Sequence, residues 1–181
     1  MNRAQGPGVP EGYSSVSPWV ISRDTNAVIE FAKAAFGADE IGRVADENGV
    51  IGHAEFRIGD SVVLAFDAKP HWPDTPAFLR LYVEDADATF QRALDAGGIA
   101  VTNITHLFWG DRIGRVRDPM GNLWWIQARV EEVDEAEIGR RMSDPVWLER
   151  MAYVQSVDPF AKDAPQSGPT AAGCSPTRGP R

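Results

Sequence analysis

The sequence predicts an α+β fold, with tandem βαβββ modules forming a curved mixed sheet around a cleft, followed by a C-terminal helix. Three observations point to it. About 61 residues apart, Ile21-Ser22-Arg23-Asp24 before an amphipathic helical pattern returns as Tyr82-Val83-Glu84-Asp85 before another. The strand pattern Gly52-His53-Ala54-Glu55-Phe56-Arg57, turning at Gly59-Asp60, returns as Gly114-Arg115-Val116-Arg117, turning at Gly121-Asn122. A unit of one helix and four strands cannot bury its own sheet face, so two such units must pack edge to edge around a shared cleft.

The elements can be justified in order. Residues 1–15 are rich in Gly, Pro and Ser and read as a flexible arm. The globular domain is expected over 16–133, with modules at 16–68 and 77–130. Trp19-Val20-Ile21-Ser22 opens the first module as a strand. Asp24 or Thr25 can cap the next helix, since a side-chain oxygen accepts from a first-turn amide that lacks a partner. Val28, Phe31, Ala32, Ala35 and Phe36 fall at helical spacing, and Gly37 ends the run. Three strands follow, at about 40–46, 51–58 and 61–67, broken by Asp46-Glu47-Asn48-Gly49 and Ile58-Gly59-Asp60. A proline-rich connection at 68–76 leads to the second copy: a strand from Phe78, a helix from Asp87 to Ala96, then three strands with Asp118-Pro119-Met120-Gly121-Asn122 as the last tight turn. Residues 134–156 form an appended helical segment in which Trp147, Leu148, Met151 and Ala152 share a face, packed over the domain or across a dimer. From residue 157 Pro, Gly, Ser and Thr dominate, so 157–181 reads as a disordered tail.

Composition narrows the function classes. Hydrophobic content of 43% and charged content of 24% are those of an ordinary globular chain. A formal net charge of -8 argues against a nucleic-acid partner, which needs a positive footprint. A single cysteine, Cys174, rules out an intramolecular disulfide framework. No stretch approaches the roughly 20 apolar residues of a membrane span, and no apolar run precedes Pro18, so neither a membrane association nor a signal peptide is expected. The reducing cytoplasm is the expected location.

Three runs resemble the vicinal oxygen chelate superfamily, which includes glyoxalases, bleomycin-resistance proteins and extradiol dioxygenases. They are Val50 to Leu64 around Gly52-His53-Ala54-Glu55, Tyr82 to Gly97, and above all Gly110 to Ile126 with its Asp118-Pro119-Met120-Gly121 turn. The similarity spans roughly residues 12–130 and is closest to the glyoxalase-like branch. It implies a homodimer with ligand clefts lined by the sheets. It also implies that a metal, where present, is held by His, Glu or Gln on the first and last strands of each module.

Residue by residue, those positions lack ligands. Ser17, Trp19 and Ile21 stand on the first strand, and Phe78, Arg80 and Tyr82 on its repeat. Arg80 stays protonated and cannot ligate. Val63 and Ala65 are expected to face the cleft on the last strand of the first module, and Trp125 stands where glyoxalases have a glutamate. Gln127 alone does not hold a metal. No metal site and no cofactor is therefore expected. His53 and Glu55 lie two apart on one strand and share a face, with Arg115 and Arg117 at the related positions. They are either an inter-strand polar network or a catalytic acid–base pair, with His53 as the base. His71 and His106 read as loop residues without a partner.

The positive signal is aromatic. Six tryptophans accompany Phe66, Phe78, Tyr82 and Phe108. Trp124 and Trp125 are adjacent on a strand and must face opposite sides. Phe108 and Trp109 precede Gly110 at a cleft mouth. A ligand-binding set of Trp109, Trp125, Phe108, Phe66 and Tyr82, with Arg80 and Arg115 as its polar groups, suits a bulky aromatic or apolar small molecule. The expected function is metal-free small-molecule binding of the glyoxalase/bleomycin-resistance type, for instance drug sequestration. The alternative is an enzyme of the same superfamily, a lyase, isomerase or dioxygenase, with an atypical metal site or with His53 and Glu55 as acid–base groups.

Overall fold

The computed structural model describes residues 8–156 and residue 158. The expected disordered tail falls, apart from residue 158, outside the described residues, as does the start of the N-terminal arm. The order of elements is β1 (Trp19–Ser22), α1 (Thr25–Phe36), β2 (Asp39–Ala45), β3 (Ile51–Ile58), β4 (Ser61–Asp67), β5 (Phe78–Tyr82), α2 (Ala86–Asp95), β6 (Ile99–His106), β7 (Asp111–Arg117), β8 (Leu123–Arg129), α3 (Glu135–Arg141) and α4 (Pro145–Ser156). The two helices that open each module start alike. Asp24 accepts from Ala27 N at 2.9 Å, and its repeat Asp85 accepts from Ala88 N at 3.0 Å. Both carboxylates satisfy a first-turn amide and place negative charge at the positive helix end.

The strands do not form the single curved sheet expected from the repeat. Among the described residues they form two separate open sheets of four strands, ordered β1-β4-β3-β2 and β5-β8-β7-β6, with no ladder between them. In each, the first strand runs parallel to the last and the other pairs are antiparallel. The physical reason lies in the helices. The modules meet through α1 against α2, and one core takes in both sheets: Phe31 and Phe36 of the first module pack against Trp124 of the second, with ring centroids 6.3 and 4.8 Å away. Arg92 Nε donates to Ala35 O at 3.3 Å across the same seam. Burial is thus achieved between helix-covered faces, and neither sheet needs the other's edge.

Two turns fix the second module. Asp118 accepts from Met120 N, Asn122 N, Asn122 Nδ2 and Trp124 Nε1, each at 2.9 Å, and so ties the β7–β8 turn to the central indole. Gly110 closes the β6–β7 turn at φ 91°, with its O accepting from both Val130 N and Glu131 N. A Cβ there would lie 2.1 Å from Glu131 O, so the position admits glycine alone.

The appended segment differs in detail from its expected face. Leu148 and Ala152 are exposed, whereas Val154 is buried, with Trp147 and Met151 half-buried. Positions 147, 151 and 154 follow helical spacing, so the buried stripe is rotated from the one the sequence suggests. Through it α4 seats on β6 and on Leu107 and Ile113 of the second sheet. No helix among the described residues is long and apolar enough to cross a membrane.

Candidate functional site

Strand alternation gives each sheet one face toward the helices and one away from them. On β8, Trp124 and Ile126 enter the core, whereas Trp125 and Gln127 take the other face. A row of side chains crosses that face. Arg80 pairs with Trp125, Trp125 with Arg115, and Arg115 with Thr102, one residue from each strand. The Arg115 guanidinium lies 4.2 Å and the Arg80 guanidinium 4.5 Å from the Trp125 ring centroid. Arg80 is exposed, whereas Arg115 is only 9% exposed. Burial, and then the neighbouring charge of Arg80, push the Arg115 side chain below its ordinary value. Among the described residues Arg115 Nε, Trp125 Nε1 and Gln127 Oε1 are buried and lack a hydrogen-bond partner.

The surroundings of this row are apolar on the α4 side, where Val154, Met151 and Tyr153 meet Leu107, Ile113, Trp109 and Trp125. Trp109 and Phe108 occupy the β6–β7 turn with ring centroids 4.7 Å apart. Trp109 Nε1 donates to Asp111 Oδ2 at 2.9 Å. Asp111 is a buried carboxylate that sequence reasoning missed. It also accepts from Gln127 Nε2 and is neutralised by Arg129. No local pattern marks it, because its three donors come from a turn and from β8. Tyr82, exposed on β5, accepts from Gln127 Nε2 at 3.2 Å.

The other expected site residues lie on the first sheet. Phe66 does not join Trp125 but stacks edge-on between Trp19 and Trp72, at 5.3 and 6.1 Å. Trp19 also meets the His53 ring at 6.0 Å. His53 Nε2 lies 3.0 Å from Glu55 Oε1, and Tyr13 donates its hydroxyl to Glu55 Oε2. The hydrogen bond from Tyr13, and then the one to His53, hold the Glu55 carboxyl below the usual carboxylate range. Val63 and Ala65 are buried on the inner face of β4, where Val63 also lines the crevice between the modules and Ala65 does not, and Leu64 and Phe66 take the outer face. His106 is not an isolated loop residue: it ends β6, stacks 5.2 Å from Trp147 and lies 3.6 Å from Glu131.

Inside the chain, the cleft between modules is a crevice of about 820 Å³. Its walls include Pro18, Val63, Leu79, Leu81, Arg92 and Trp124. It reaches Arg80 and Tyr82 but none of Trp109, Trp125, Phe108, Phe66, Arg115, His53 and Glu55. The tryptophan-lined cleft expected from the sequence is therefore not this crevice.

At the positions where the resemblance implies a metal, Trp19, Arg80, Val63, Ala65 and Trp125 offer no ligand atom, nor do Leu64 and Phe66 on the outer face of β4, and the Gln127 amide is bonded through Nε2 to Asp111 and Tyr82. Among the described residues no group of three or more His, Cys, Asp or Glu is placed to hold a metal ion. The side chains at these positions do not fit one.

Comparison with known proteins agrees on the fold. The model of the Glyoxalase/Bleomycin resistance protein/Dioxygenase superfamily matches residues 16–126. An uncharacterized protein of Mycobacterium bovis is 38% identical over 140 residues, covering 71% of this chain and 92% of its own, and one of Mycobacterium tuberculosis matches equally, over 82% of its length. Among solved structures, TioX from Micromonospora sp. ML1 has a TM-score of 0.52 at 24% identity, over 64% of this chain and 99% of that one. Protein PA1353 from Pseudomonas aeruginosa has a TM-score of 0.53 at 20% identity, over 64% and 98%. The fosfomycin resistance protein FosX from Listeria monocytogenes, determined with Mn(II) and sulfate, has a TM-score of 0.51 at 16% identity, over 68% and 95%. With its tandem modules, its Asp118–Asn122 turn and a family model matching 16–126, the chain belongs to the vicinal oxygen chelate (glyoxalase/bleomycin-resistance/dioxygenase) superfamily.

Proposed function

We propose that this chain binds a bulky aromatic or apolar small molecule without a metal ion, acting as a cytoplasmic homodimer that sequesters its ligand. One observation supports this reading above the rest. Trp125 presents its ring on the sheet face away from the core while its indole N–H, buried, has no partner among the described residues. A buried donor without an acceptor costs about 1–3 kcal/mol, which a bound ligand can return. Trp109 and Phe108 at one end and the exposed rings of Tyr82 and Phe78 on β5 extend the aromatic surface. Open edges at β1 and β5, each paired on one side only, favour association with a second copy. A resistance role accords with the superfamily's description, which includes bleomycin resistance proteins.

The test is tryptophan quenching and calorimetry against a panel of aromatic compounds, with and without EDTA. Saturable, stoichiometric binding unaffected by EDTA and lost in Trp125→Ala is the expected result. Binding that EDTA abolishes, or no binding by any member of the panel, overturns the reading.

A second reading is favoured by the contact of His53 with Glu55 at 3.0 Å, with Tyr13 holding the other carboxylate oxygen. An imidazole oriented by a carboxylate is the arrangement of a general base. Turnover of an aromatic ligand lost in His53→Gln would move the function to the first sheet.

A further inference from the structure

The charges around Trp125 are unbalanced. The sequence has 26 acidic and 18 basic residues, so a carboxylate is the commonest neighbour an arginine could find. Several other arginines find one: Arg43 has Glu40, Arg112 has Asp87, Arg129 has Asp111 and Arg141 has Glu131. Arg141 is nearly as buried as Arg115 and has two carboxylates, Glu131 at 2.6 Å and Glu137 at 2.7 Å. Arg115 and Arg80 instead have a shared indole and, among the described residues, no ion pair.

Stacking does not complete either side chain. An aromatic ring attracts the face of a guanidinium, whereas the N–H groups point outward in its plane and still require acceptors. Among the described residues Arg115 Nε is buried with none, and so is Nε1 of Trp125, the ring over which Arg115 lies. A buried cation with no counter-charge is costly, and a second cation 4.5 Å from the same ring adds repulsion. An oxyanion that accepts from these donors relieves all three deficits. Gln127 Oε1, two residues along β8 and also unpartnered, is left to accept a hydroxyl or amide N–H from the same molecule.

We infer that the ligand of the Trp125 face is an anion: an aromatic or apolar body bearing a carboxylate or phosphate, its oxyanion accepting from Arg115, Arg80 and the Trp125 indole N–H. The inference rests on the binding reading given above and narrows its ligand class.

The experiment compares compounds that differ in charge on one ring. 2-Naphthoate, 2-naphthamide and 2-naphthyl phosphate are titrated by calorimetry into the full chain, alongside Arg80→Met, whose exposed side chain can be removed without disturbing the fold, and Arg115→Met. Charge-assisted hydrogen bonds predict that one of the two anions binds at least about tenfold more tightly than the amide. Each arginine variant should shrink that preference severalfold, with unchanged circular dichroism. Whichever anion is preferred identifies the oxyanion. An amide that binds as well as both anions, or a preference intact in both variants, overturns the anion inference and leaves aromatic binding standing. If no member of this set, nor of benzoate with benzamide and indole-3-acetate with its amide, binds at all, aromatic binding and the anion inference fall together.

Discussion

Glu55 and Arg115 hold equivalent places in the two modules and carry opposite charge. Glu55 pairs with Leu64, which pairs with Trp19; Arg115 pairs with Trp125, which pairs with Arg80. The duplicated framework thus presents a carboxylate on one outer sheet face and a guanidinium at the matching point of the other. Glu55 is met by Tyr13 and His53, whereas Arg115, with no hydrogen bond to its Nε among the described residues, lies over Trp125 and near the like charge of Arg80.

Tyr13 sets the titration of Glu55. The carboxyl is lowered first by the hydrogen bond from Tyr13 and then by the one to His53, so Tyr13→Phe should raise it toward the ordinary carboxylate range. Because the folded value is lowered, Glu55 contributes stability above that range and loses it as pH falls through the folded value. Carbon NMR of the Glu55 carboxyl reads the change. A titration unaltered in Tyr13→Phe would remove the tyrosine from the network.

A second carboxylate should govern acid stability. Arg43, and then Lys33, hold Glu40 down to about 2 from 4.5, with Lys33 Nζ at 2.9 Å and Arg43 Nη2 at 2.8 Å. Its stabilising contribution is complete above 4.5 and is lost as pH falls toward about 2. The melting temperature should decline through that window, and less steeply in Glu40→Gln. Equal slopes in the two proteins would show that other groups dominate.

Asp118 should be among the least replaceable polar residues. It is 3% exposed and accepts four hydrogen bonds, one from the buried indole of Trp124. Asp118→Ala leaves those donors buried and should cost about 3 kcal/mol or more in urea unfolding. Asp118→Asn, which keeps an acceptor, should cost less. A loss below about 1 kcal/mol in the alanine variant would contradict this account.

Mild acid should loosen α3 and α4. Burial, together with Arg150, Arg112 and Arg141, lowers His106 below 6.5 against the opposing pull of Glu131. A histidine lowered in the folded state supplies stability above 6.5 that is lost as pH falls through its folded value. Trp147 lies against His106 and between Arg141 and Arg150 at 4.7 and 4.6 Å, so its emission should shift in this window. His106→Gln should suppress the shift.

Local features were legible in the sequence because local physics decides them. The capping carboxylates Asp24 and Asp85, the stop at Gly37 and the opposite facing of Trp124 and Trp125 need only chain geometry. Ala65 and Phe66 show how narrow that legibility is, since a step of one residue on β4 exchanges core for outer face. What depends on distant partners was not legible. Two sheets form where one was expected because Phe31 and Phe36 dock on Trp124, residues that no short pattern relates. The carboxylate of Asp111, the seat of α4 beside Trp125 and the separation of Phe66 from that row are likewise settled by tertiary contact.

Strand β5 has two roles at once. One side of its backbone is the open edge of the second sheet, while Arg80 at its centre reaches the Trp125 ring. A strand added along that edge and a molecule seated against Arg80 would draw on the same few residues, and their free energies would be coupled. Whatever factor the ligand applies to edge pairing, edge pairing returns to the ligand. Apparent affinity would then depend on protein concentration, and the duplicated framework would register its own crowding through what it binds.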